Sequence, residues 1–168
     1  MRRVPGFFVV LLLMNDSNRV LLASHGTEGA QAAERMALQL CGKGSHIHQL
    51  VVVPELWRGM TGDDWLNNGS TRDKFCRYLE SELESEIREH VERVRENAEA
   101  GEIGYSSEVM VGNPEQCLIE VSERSDYDIV VMGSPRPKGR SGLRSRMTTE
   151  PLAQRLSHPL LIVPFPDG

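Results

Sequence analysis

Long apolar runs are scarce in this sequence. The longest, Phe7–Met14, falls well short of the roughly 20 apolar residues that span a bilayer. Arg2 and Arg3 precede it, but no small-residue cleavage site follows, so neither a membrane span nor a secretory signal is read there. Cysteine is equally sparse. Cys41, Cys76 and Cys117 are odd in number and have no CxxC or Cys/His spacing, which argues against a disulfide framework or a zinc site. Reduced thiols in a cytoplasmic protein are the expectation. There is no excess of basic charge either. The formal charge is −5 and the pI near 5.6, which speaks against a general nucleic-acid binder, since duplex affinity needs a broad basic surface. No Ser/His/Asp order, paired catalytic carboxylates or nucleophile turn stands out, so dedicated catalytic chemistry is not indicated.

What remains is a chain of 168 residues, 39% hydrophobic and 26% charged, which suits one soluble α/β domain. Residues 1–18 stand apart as an N-terminal extension. They read either as an added strand or docking arm, or as residues upstream of a natural start at Met14, and the second is favoured. From residue 19 to 168 short apolar strands alternate with helices. RVLLAS (19–24) is a strand, and Ala30, Ala33, Ala37 and Leu40 share one face of the helix after it. HIHQLVVV (46–53) is a second strand, whose valines suit burial on both faces. Ser70 or Thr71 caps a long helix with an apolar stripe of Phe75, Leu79, Leu83, Ile87, Val91 and Val94. Residues 105–111 form a third strand, with Val109 and Val111 alternating against Glu108 and Met110. Asn113 is an N-cap candidate with Pro114 at the first helical position, and Cys117, Leu118 and Val121 are the buried face of that helix. Residues 127–132 form a fourth strand, a short helix starts at Thr148 or Thr149, and Leu160–Val163 is the last strand. Strands alternating with helices through short connections imply a parallel sheet covered on both faces. In such sheets a ligand sits beyond the carboxyl ends of the strands, where the strand order reverses.

Two stretches do not fit the plain scaffold. After Met132 comes GSPRPKGRSGLRSRM, with Arg136, Lys138, Arg140, Arg144 and Arg146 and no acid among them. A strand feeding a glycine-rich basic loop and then a helix is a common phosphate holder, because loop and helix N–H groups donate to the anion. The competing reading is a solvated basic loop without a ligand. Residues 56–69 hold both tryptophans, Trp57 and Trp65, together with Asp63-Asp64. A loop that long with two costly aromatics is expected to fold back as a lid or interface. Asp63-Asp64 reads as an exposed acidic turn in preference to a Mg²⁺ site. His46 and His48 share a strand face and would make half a metal site, but without a third ligand nearby they read as two strand-edge histidines.

VLLASHGTEGAQAAERMALQLC, HIHQLVVVPE, VGNPEQCLIEVSERSDYDIVVMGSPRPKGRSGL and HPLLIVP, in that order and spacing, resemble the universal stress protein family over about residues 19–164. The resemblance implies an open five-stranded parallel sheet of order 3-2-1-4-5, Rossmann-like, with helices on both faces. It also implies a homodimer, for which the edge strand Leu160–Val163 is the expected contact. One branch of the family binds ATP through an Asp after the first strand and a G-x2-G-x9-G-S/T loop after the fourth; another branch binds no nucleotide.

Carried over to this chain, the resemblance implies a nucleotide held by Ser24, His25 and Gly26 after the first strand and by Val52 and Val53 at the end of the second. Its phosphates would meet Gly133, Arg136, Gly139, Arg140, Ser141, Gly142, Thr148 and Thr149, with Trp57 and Trp65 as a lid. ATP is the candidate cofactor, with Mg²⁺ only alongside it. Two positions depart from the pattern. His25 stands where the family has its adenine-side Asp, and would contact or stack on a base or serve as a polar turn residue. Thr149 stands where the loop wants glycine, and puts a Cβ where backbone should approach phosphate. The expected role is a cytoplasmic stress-response regulator binding a small phosphate ligand. A scaffold member of the non-nucleotide branch is the alternative, and a weak ATP hydrolase a more distant one.

Overall fold

The computed structural model describes residues 18–24, 28–53, 69–134 and 149–166. They form β1 (Arg19–Ala23), α1 (Glu28–Leu40), β2 (His46–Val53), α2 (Gly69–Ala100), β3 (Gly104–Val111), α3 (Pro114–Glu123), β4 (Ile129–Gly133), α4 (Thr149–Arg155) and β5 (Leu160–Val163). All four strand pairings are parallel and the order is β3-β2-β1-β4-β5.

β1 is central, and its alternation builds two cores. Val20 and Leu22 face α1 and α2, packing with Ala33, Ala37, Val94 and Ala98. Leu21 and Ala23 face α3 and α4, packing with Leu118, Val121 and Leu152. A strand apolar on both faces can be satisfied only by helices on both sides of the sheet. The alanines of α1 shorten its distance to the sheet, as their spacing suggested. Asn113 caps α3, its side-chain oxygen accepting from the Gln116 N–H at 3.1 Å. At the other end of the sheet the Asp128 carboxylate accepts from the backbone N–H groups of Asn18 and Arg19, both at 2.8 Å. That clip ties the start of β1 to β4.

Several expectations need correction. β2 lies between β1 and β3, so His46 and His48 sit at the amino end of an internal strand, not on a sheet edge. At its other end Val52 and Val53 are only half-buried. Pairing of β4 begins at Ile129; Tyr127 is buried in the preceding turn. Among the described residues of the α2 stripe, Val94 is buried while Leu83, Ile87 and Val91 are half-exposed, and Ala98, one turn further on, is buried as well. On β3, an edge strand among the described residues, Val109 and Val111 are 49% and 60% exposed. Phe75, Leu79 and Cys76 lie outside the residues whose side chains are described; Cys41 is half-buried and Cys117 buried.

Candidate functional site

The chain runs β1, β2, β3 to one side and then returns to place β4 against the other side of β1. The carboxyl ends of β1 and β4 therefore frame the order reversal. Ala23 is in register with Met132, so Ser24 and Gly133 leave the sheet side by side. Here two pieces of backbone touch. A Cβ on Gly133 would lie 2.3 Å from the Gly29 carbonyl oxygen and 2.5 Å from its carbon. A Cβ on Gly29 would lie 3.0 Å from the Ser134 carbonyl oxygen. Two glycines thus let the first turn of α1 rest on the last residue of β4, where the basic loop begins. The Ser134 N–H donates to the Val163 carbonyl at 2.8 Å and fixes that exit to β5. Thr149, half-buried, opens α4.

Ser24 is 1% exposed and its hydroxyl is fully engaged. It donates to Glu34 Oε1 on α1 at 2.6 Å, and His90 Nε2 on α2 lies 2.8 Å from it. Arg93 donates to His90 Nδ1 at 2.7 Å and to Glu34 Oε2 at 3.3 Å. These contacts set the tautomer. An arginine can only donate, so Nδ1 carries the lone pair and the neutral ring carries its proton on Nε2. The Nε2–H then donates to the Ser24 oxygen, and the Ser24 hydroxyl donates to Glu34. Burial, and after it the Arg93 charge, holds His90 well down, from 6.5 to about 4, which matches the neutral ring. Burial pushes Glu34 up, while the Ser24 hydroxyl and Arg93 pull it down. The result is a closed ring of donors and acceptors tying the tip of β1 to α1 and α2.

Sequence reasoning missed this ring, though a signal existed. Glu34 falls one turn from Ala30 and Ala37, and His90 falls three residues after Ile87 and four before Val94. A polar residue on an apolar stripe is buried unless the stripe ends. Of the residues named from sequence, Ser24, Val52, Val53, Gly133 and Thr149 are at the carboxyl ends of strands or at the start of α4. His25, Gly26, Arg136, Gly139, Arg140, Ser141, Gly142, Thr148, Trp57, Trp65 and Asp63-Asp64 lie outside the described residues. No group of three or more His, Cys, Asp or Glu side chains is arranged to hold a metal ion among the described residues. His46 and His48 instead share the Ser106 hydroxyl, at 2.8 and 2.7 Å. No described helix is long and apolar enough to cross a membrane.

Comparison with known proteins agrees with this architecture. The hypothetical protein MJ0577 superposes with a TM-score of 0.68 at 19% identity, over 90% of this chain and 99% of that one. A universal stress protein in complex with cAMP gives 0.56 at 16% identity, over 89% and 98%. An Arabidopsis thaliana universal stress protein family member with AMP bound gives 0.60 at 14% identity, over 89% and 92%. At these identities the structural likeness speaks for the fold. No curated protein matches the sequence significantly. The universal stress protein family model matches residues 17–164, nearly the whole chain. The chain belongs to the universal stress protein family.

Proposed function

We propose that this chain is a regulatory stress-response module that binds a nucleotide across the carboxyl ends of β1 and β4. The observation that carries the reading is the Gly29–Gly133 backbone contact, which joins a helix amino end to the start of the basic loop at the order reversal. Helix N–H groups and loop cations side by side are what a phosphate needs. The likeness to family members with cAMP and AMP bound supports the same reading. In it the backbone at Ser24, with His25 and Gly26, meets the base, and Val52 and Val53 flank it. Gly133, Arg136, Gly139, Arg140, Ser141, Gly142, Thr148 and Thr149 hold the phosphates, and Trp57 and Trp65 close over them. ATP falls within this reading, with Mg²⁺ only as its companion, as do action in the cytoplasm and a homodimer through β5.

The test starts with denaturing extraction of the purified protein and mass spectrometry of the released small molecules. Thermal melts and tryptophan fluorescence with ATP, AMP and cAMP follow. A stabilising shift that Gly139→Val and Arg140→Ala abolish is the expected outcome. Absence of any carried nucleotide, together with no shift at millimolar nucleotide and Mg²⁺, overturns the reading. The exposed Val109 and Val111 on edge strand β3 favour the alternative, a partner-binding member without nucleotide.

A further inference from the structure

A second pocket opens at the amino ends of the strands, the end of the sheet remote from the nucleotide cleft. It measures about 210 Å³, and Arg19, His46, His48, Ser106, Glu108 and Arg124 supply its polar wall. The sheet register assembles it, because His46 is level with Arg19 on β1 and with Gly104 on β3, and His48 with Ser106. His46 and His48 alternate with the residues facing α1 and α2, so both point to the α3 side, where Arg124 follows the helix.

The charges in this wall do not cancel. Glu108 is its carboxylate, and Arg124 Nη1 already binds both of its oxygens, at 2.8 and 3.0 Å. Arg124 Nη2 also binds Glu120, at 2.5 Å. The Arg19 backbone N–H donates to the Asp128 carboxylate, but its guanidinium pairs with no carboxylate among the described residues and lies 5.8 Å from the centre of the Tyr127 ring. His48 stacks on Tyr127 with ring centroids 6.2 Å apart, and His158 meets Tyr127 edge-on. The Ser106 hydroxyl has one proton, so it donates to at most one of the two imidazoles. Burial first, and then Arg19 and His48, hold His46 below its ordinary value. Burial also lowers His48, with Glu108 opposing and Arg124 and Arg19 adding to the lowering. The pocket is donor-rich; Glu108 is shared between Arg124 and His48, whose Nε2 lies 3.6 Å from Glu108 Oε2, and the Arg19 guanidinium is the cation left without a carboxylate.

We propose that this pocket binds a small oxyanion, with Arg19 as counter-charge and His46 and His48 as donors, Ser106 holding the two rings together. A bound anion replaces repulsion at the imidazoles with attraction, so binding takes up protons and tightens as pH falls. The pocket is separate from the cleft of the proposed nucleotide site, and the two fail or stand independently.

Sulfate is the primary probe, because its charge is constant across the pH range in which histidine titrates. The imidazole resonances of His46 and His48 are followed by NMR in the full chain, against a chloride background. Sulfate should shift both rings saturably and raise their titration midpoints. Its affinity should rise by up to about tenfold per pH unit for each coupled proton. Arg19→Gln, an exposed position, should weaken binding about tenfold or more, and Ser106→Ala should weaken it independently. Arg140→Ala, in the cleft loop, should leave it unchanged. Phosphate and acetate, run in parallel, distinguish a tetrahedral oxyanion from a carboxylate, and saturation by any of the three supports the site. Rings that ignore all three at tens of millimolar overturn the proposal, as does an equal response in Arg19→Gln, which would mark plain ionic screening.

Discussion

His90 should make this fold sensitive to acid, and by an amount the structure allows to be worked out. The ring is 5% exposed and neutral, holding its Nε2 proton toward Ser24 while Arg93 occupies Nδ1. Its value falls from 6.5 in a free chain to about 4 in the fold. A group depressed on folding stabilises the native state above its unfolded value and loses that contribution as pH falls toward the folded one. For His90 the window runs from 6.5 down to about 4. Linkage arithmetic over those values gives a loss of about 2 kcal/mol by about pH 5. Glu34, raised by burial, has the opposite sign: it takes up its proton more readily when folded, which offsets part of the loss at the acid end. His90→Gln isolates the imidazole. A glutamine can accept from Arg93 and donate to Ser24 but cannot titrate. Urea unfolding followed by circular dichroism at about pH 8 and pH 5 should show the variant within about 1 kcal/mol of the parent at the higher pH. At the lower pH the variant should be the more stable of the two by about 1–2 kcal/mol. Stability curves that stay parallel across the range would refute both the tautomer and the neutral-ring argument.

Gly133→Ala should destabilise the protein by about 3 kcal/mol or more, since a Cβ 2.3 Å from the Gly29 carbonyl oxygen forces two backbones apart; a chemical denaturation midpoint unchanged from the parent would show that the contact is not tight. If β5 joins two copies, size-exclusion chromatography with light scattering should give twice the chain mass of 18.8 kDa. Ile162→Arg, at a position 37% exposed on that strand, should then return a monomer. A monomeric parent protein removes the dimer from the proposal.

Most of the fold was legible because its signals are local. The alternation of Val20 and Leu22 with Leu21 and Ala23 reports burial on both faces without knowing the partners. Asn113 and Pro114 mark the start of α3 because a cap is chemistry within four residues. The polar devices were not legible because each joins distant parts of the chain. Ser24 and His90 are 66 residues apart, and Asp128 reaches back 110 residues to the Asn18 N–H. Nothing near Glu34 in sequence says that an arginine on another helix will face it. The exposure of one face of β3 was not legible for a related reason. Val109 and Val111 have the pattern of core residues, and their exposure follows from how far the helices of the fold reach over β3, which is not written near them in the sequence. On the candidate site, the family pattern pointed to the end of β4, but the reason Gly133 must be glycine is a contact with α1, more than a hundred residues earlier.

The two histidine sites at opposite ends of the sheet predict opposite responses to an anion, and this separates them in one set of experiments. His90 is 5% exposed and held by Ser24 and Arg93, so sulfate should leave its contribution to acid sensitivity untouched. His46 and His48 line an open pocket beside Arg19, so a bound oxyanion should make their protonation easier and lessen the cost of acid there. Sulfate also stabilises folded proteins in general through exclusion from their surface. That general effect cancels when each variant is compared with its parent in the same salt. The difference between the parent and His90→Gln should therefore be the same in chloride and in sulfate. The difference between the parent and Arg19→Gln should grow in sulfate, and grow most at low pH. If both differences change together, the two ends of the sheet are coupled and the separation argued from the structure is wrong.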